Sequence, residues 1–91
     1  MSIEALVDKY IGSTEKALKE MKQPKTSVKL EAKSIDEIVA YAMAYLEDAK
    51  YYRDQKKLET SLTSIAYCEG LIDALKLMGA IKIPSSPEDQ K

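Results

Sequence analysis

Apolar positions recur at i, i+3, i+4, i+7 in three stretches of the chain, and each stretch predicts an amphipathic helix. In the first, Ile3, Leu6, Val7, Tyr10, Ile11, Ala17, Leu18 and Met21 fall on one stripe over residues 2–22 when placed at roughly 100° per residue. Ser2 is the expected N-cap. Gly12 lies mid-helix, where it costs about 1 kcal/mol relative to Ala. In the second, Ile35, Ile38, Val39, Ala42, Met43, Leu46 and Ala49 form the stripe of a helix over 35–54. The string Ser34-x-x-Glu37 reads as a capping box that opens it. The third runs over 58–79. Leu58, Leu62, Ile65 and Ile72 make one face, and Cys68, Leu71, Leu75 and Met78 an adjoining one. Together they span roughly 200°, wider than a surface helix needs. Gly79 is the natural C′ residue, and Pro84 bars continuation.

The connections set the topology. Pro24 biases Gln23 away from helical backbone, so the first helix should end near Lys22. Thr26, Val28 and Leu30 alternate with polar residues, but a lone strand has no partner, and Gln23–Lys33 is read as loop. Asp54–Lys57 is the only polar break before Leu58. A turn that short forces the second and third helices into an antiparallel αα-hairpin. The expectation is an all-α fold, a three-helix bundle built on that hairpin, with one domain over 1–83 and a flexible tail over 84–91.

Composition removes function classes more than it selects one. Fourteen basic and fifteen acidic residues leave a net charge of −1, so bulk charge points to neither nucleic acid nor membrane. There is no histidine, which removes the commonest general base and metal ligand. The single cysteine, Cys68, permits no intrachain disulfide, and it reads as a small buried hydrophobe. No apolar run approaches the length of a transmembrane helix. The start of the chain lacks the basic and apolar regions of a signal peptide, so a cytoplasmic setting is expected. Asn is absent and Gln scarce beside abundant Lys and Glu, a leaning towards thermophile usage. No phosphate-binding glycine loop, zinc spacing or catalytic triad occurs, and no cofactor is expected.

Polar residues inside the third apolar stretch define the candidate sites. Glu69 and Asp73 stand four residues apart at one edge of the arc, where like charges repel by a few tenths of a kcal/mol. A polar network of Asp48, Glu69, Asp73 and Lys76 would offset this and fix the hairpin register, with Arg53 or tyrosine hydroxyls as further partners. The competing reading is a paired-carboxylate or divalent-cation site. Gly70, on the polar side of the arc, would let another backbone approach closely. Tyr41, Tyr45 and Tyr52 line one edge of the second helix beside Asp48, as packing or as a recognition patch. Leu71, Leu75 and Met78 form a candidate partner interface, for a second copy or a larger subunit. Lys50, Arg53, Lys56 and Lys57 cluster at the turn and could contact phosphate, but Glu47, Asp48, Asp54 and Glu59 interleave with them.

Asp48-Ala49-x-Tyr51-Tyr52, followed by Ser64-Ile65-x-Tyr67-x-Glu69-Gly70-Leu71-x-Asp73-Ala74 and a closing Gly79, resembles the archaeal domain of unknown function 357. The resemblance covers the second and third helices, and Tyr67-x-Glu69-Gly70-Leu71-x-Asp73-Ala74 is its most specific part. It implies a compact helical domain with no assigned activity. The chain departs from the family at the turn, where Lys56-Lys57 stands in place of Gly-Asp, and at Ser61 and Cys68, where Ala is favoured. The first helix carries no signature of the family. The hairpin also resembles, distantly, nucleotide-binding helical domains of prokaryotic toxin systems. Those that cut RNA use an Arg and a His, and the absent histidine blocks that carry-over.

The function expected from the residues is a non-enzymatic protein–protein interaction module, a small accessory subunit of a larger archaeal assembly. The alternatives are a small-ligand or enzyme site built on Glu69, Asp73 and the tyrosines, and a weak nucleic-acid binder acting through the basic turn. A protein partner is expected, nucleic acid only indirectly, and no membrane.

Overall fold

The computed structural model describes residues 2–84. They form three helices and no strand: α1 (Ile3–Glu20), α2 (Ala32–Asp54) and α3 (Leu58–Leu77). The all-α architecture built on an antiparallel αα-hairpin is therefore present. The part of the predicted tail beyond Pro84 lies outside the described residues.

Local chemistry accounts for the helix ends. The Ala5 amide donates to Ser2 Oγ at 3.1 Å, so Ser2 caps α1 as expected. The capping box at Ser34–Glu37 does not open α2. The helix begins at Ala32 with Glu31 as N-cap, the Ile35 amide donating to the Glu31 carbonyl at 3.1 Å, and no side chain caps it. Ala32 and Lys33 are good helix formers, so the helix extends back past a serine that caps only when the backbone before it is extended. Gln23–Lys33 is coil up to Glu31, without a strand.

The hairpin turn is a Schellman closure. The Lys57 amide donates to Tyr52 O at 2.9 Å and the Lys56 amide to Arg53 O at 3.0 Å, with Lys56 at φ 64°. The left-handed region costs a non-glycine residue about 1 kcal/mol, which accounts physically for glycine at this point of the turn in the resembling family. Lys56→Gly is accordingly expected to stabilise the hairpin by somewhat under 1 kcal/mol, read as a rise in the urea midpoint at unchanged slope. The same motif ends α3, where Gly79 at φ 72° supplies the left-handed residue and the Ala80 amide reaches Leu75 O at 2.9 Å. The C′ role expected of Gly79 is the one observed.

α2 and α3 pack along a seam that alternates three and four residues: Ile35, Ile38, Ala42, Tyr45, Ala49 and Tyr52 on one helix, and Ser61, Ile65, Cys68, Ile72 and Leu75 on the other. This is the spacing of coiled-coil knobs and holes. Ala42, Ala49, Cys68 and Leu75 are the buried apolar side chains, and three of the four are small. Small seam residues let the backbones draw close. Ser61 Oγ accordingly donates across the seam to the Ala49 carbonyl at 2.7 Å. Cys68 occupies the buried position expected of it.

α1 lies clear of this core. Packing between elements is confined to α2 and α3, and α1 has no buried residue. Its stripe is as regular as the periodicity predicted, yet Ile3, Val7, Tyr10, Ile11, Leu18 and Met21 are all exposed. The connection leaves α1 extended at Met21 (ψ 150°) and enters α2 extended at Glu31 (ψ 145°).

Candidate functional site

Two i, i+4 pairs meet on one side of the hairpin. Tyr41 and Tyr45 stand one turn apart on α2, and Tyr67 and Leu71 one turn apart on α3. That spacing puts both members of each pair on one helix face. Together the four line a cleft of about 150 Å³. The Tyr45 and Tyr67 rings lie 4.3 Å apart between centroids at an interplanar angle of 30°. Such a pair contributes about 1 kcal/mol beyond the area it buries. A second, shallower depression of about 280 Å³ continues along α3, lined by Tyr67, Gly70 and Leu71. A Cβ placed on Gly70 would meet nothing within 4 Å, so no backbone of this chain makes the close approach that glycine would permit.

The groove is apolar with phenol tips. Partial burial pushes the Tyr45 phenol above its ordinary pKa, and the neighbouring Tyr67 and the Asp48 and Tyr41 groups push in the same direction. A raised folded-state pKa means the neutral phenol is the favoured form. Its contribution to stability is complete below the ordinary tyrosine value, about 10, and is lost as pH rises through the folded value. Hairpin stability should thus fall in alkaline solution beyond that point. Tyr45→Phe should remove the part of the fall due to this phenol, and ultraviolet titration of tyrosinate together with urea unfolding at stepped pH checks it.

The candidate polar network does not form. Asp48, Glu69, Asp73 and Lys76 are exposed, and none of their side chains makes a hydrogen bond or ion pair among the described residues. Water solvates each carboxylate at less cost than holding long side chains in one geometry. Glu69 and Asp73 also stay apart from the tyrosine cleft, so a site combining them with the tyrosines is not assembled. Asp73 and Lys76 instead border an open depression with Leu77. Among the described residues, no three His, Cys, Asp or Glu side chains converge where they could hold a metal ion.

The candidate interface residues divide. Leu75 is fully buried between α2 and α3 and is not available to a partner. Leu71 is half-buried in the groove wall, and Met78 is exposed. At the turn, Lys50 Nζ pairs with Glu47 at 3.4 Å and Arg53 Nε with Asp54 at 3.1 Å, which answers two of the four basic residues with carboxylates. Lys56 and Lys57 are exposed beside them. Tyr67 carries the groove but was expected only as part of a family string. Its signal is the outer repeat Thr60, Thr63, Tyr67, Gly70, Ala74, Leu77, a second run at alternating spacings of three and four on α3.

No helix of the described residues is long and apolar enough to cross a membrane. No curated protein and no solved structure matches the chain. A family profile, a protein family of unknown function (DUF357), matches residues 9–81, and the chain belongs to that family. The match reaches back through most of α1, beyond the two helices on which the sequence resemblance rests.

Proposed function

We propose that this member of the family is a non-enzymatic protein–protein interaction module, an accessory subunit of a larger assembly. The observation that carries the reading is uncovered apolar surface. The chain exposes 8320 Å², whereas a compact monomer of this mass exposes about 5,300 Å². Exposed apolar side chains lie in several places: the α1 stripe, the tyrosine groove, Met78 and Leu77. Surfaces of that kind on small proteins mark interaction sites. The groove offers ring faces and phenol tips, the mixed chemistry that recurs at the centres of protein interfaces.

Affinity purification of the full chain from its source cells, with quantitative mass spectrometry and a native mass measurement, tests the reading. A stoichiometric companion, whether another protein or a second copy, supports it. Recovery as a bare monomer would count against it.

A further inference from the structure

We infer that the occupant of the tyrosine groove is α1 of a second copy of this chain. In the resulting two-fold dimer, each α1 completes a three-helix bundle on its partner's hairpin. The inference names the partner of the interaction reading above and rests on it.

Two unpartnered apolar surfaces exist on one chain, and they match in form. α1 carries Ile3, Val7, Tyr10, Ala17 and Met21 at alternating three- and four-residue steps, counting Thr14 in the repeat. The outer repeat of α3 has the same steps over a similar length, and at its middle Tyr67 borders the cleft shared with Tyr41 and Tyr45 of α2 while Gly70 borders the depression beside it. An amphipathic helix laid in such a groove presents i, i+3, i+4, i+7 anchors, the pattern the α1 stripe has. Gly70 leaves the groove wall open where a third helix would press closest.

The area agrees. A stable interface buries about 1,200–2,000 Å² in total. The surface each chain exposes beyond the compact expectation is larger than its share of that. Ile3 is 69% exposed and Tyr10 61%, so the stripe has its full area to give.

The placement of α1 selects a second copy over the chain's own hairpin. α1 makes no packing contact with α2 or α3. The connection holds it off through extended backbone at both ends, with Pro24 fixing part of the path. A connection extended at both ends beside an unpaired helix allows elements to be exchanged between protomers, and reciprocal exchange closes with two-fold symmetry.

The experiment is sedimentation equilibrium of the full chain from low micromolar to millimolar concentration, with two variants. Gly70→Arg and Val7→Lys both change positions that are exposed in the isolated chain, and arginine favours a helix over glycine, so neither should unfold the hairpin. The expected result is a wild-type dimer and a weakening of dimerisation by more than about tenfold in each variant at unchanged helicity, because each charge must be desolvated in the docked groove. A mixing experiment fixes the face. Isotope-labelled wild type is mixed with unlabelled chain carrying a nitroxide at Lys9→Cys in a Cys68→Ala background. Broadening of the Tyr67 and Gly70 amides in the labelled chain is the expected result. A dimer that broadens a different face overturns the inference. So does a monomer in which the Tyr67 and Gly70 amides broaden only when the labelled chain itself carries the nitroxide, diluted into unlabelled wild type, since α1 then covers its own hairpin. A monomer that still recovers a stoichiometric heterologous partner overturns the second copy and leaves the interaction role standing, whereas a monomer with no partner removes both.

Discussion

Leu75→Ala is expected to destabilise the hairpin by about 3 kcal/mol, the middle of the range for truncating a fully buried leucine. Among the described residues Leu75 is the one large side chain with no exposed surface, and the other buried apolar residues are Ala42, Ala49 and Cys68. The register set by Ser61 against Ala49 places the half-buried Ile35 and Ile38 across the seam from it. These β-branched side chains are stiff and can collapse into the vacated space only by moving one helix against the other. A domain this short has little stability in reserve. The loss should appear as a lower urea midpoint. The Cys68 thiol supplies an independent readout, since it is buried in the same seam. If it reacts only through opening, labelling should accelerate roughly a hundredfold, each tenfold corresponding to about 1.4 kcal/mol. A loss below about 1 kcal/mol would mean that the seam is looser than its burial indicates.

The helices and their order were legible because each carries a sustained period, and tertiary packing had no cause to overrule it. The turn was legible for a similar reason: Asp54–Lys57 is too short for any connection but a hairpin. Three features depart from the sequence pattern, each for a physical reason. The Ser34-x-x-Glu37 box has the right letters but sits inside a helix whose backbone continues to Ala32, and a cap requires extended backbone at the capping residue. The arc of α3 was seen to be too wide for one neighbour, yet the assignment of faces was displaced. Leu75 belongs to the seam with α2, and the outer surface passes through Tyr67, Gly70 and Leu71 instead. A helical wheel shows both faces but does not say which one the partner helix takes. That choice is made by the small residues Ala42, Ala49, Ser61 and Cys68, which allow the closest backbone approach. The polar network was expected from like charges at Glu69 and Asp73. Exposure makes that repulsion small enough for water to screen, and no partner is required.

The small residues of the seam supply the last expected result, one whose sign separates packing from propensity. Leucine is nearly as good a helix former as alanine and far more hydrophobic, so a view that counts only those two terms makes Ala42→Leu neutral or stabilising. The seam predicts the opposite. Ala42 is 1% exposed, at a point where the α2 and α3 backbones run close enough for Ser61 to reach the Ala49 carbonyl two turns further along α2. Three added heavy atoms have no space there. They force the helices apart or the side chain out of its rotamer, at about 2 kcal/mol. For a domain of this size that corresponds to a fall in Tm of roughly 10 °C. The control is Ala44→Leu, an exposed position two residues away on the same helix, where the change should stay within about 0.5 kcal/mol. A thermal melt in which Ala42→Leu matches Ala44→Leu would show that the seam is not set by close approach. A melt in which only Ala42→Leu falls places α2 and α3 in the tight register that carries the tyrosine groove on their outer side.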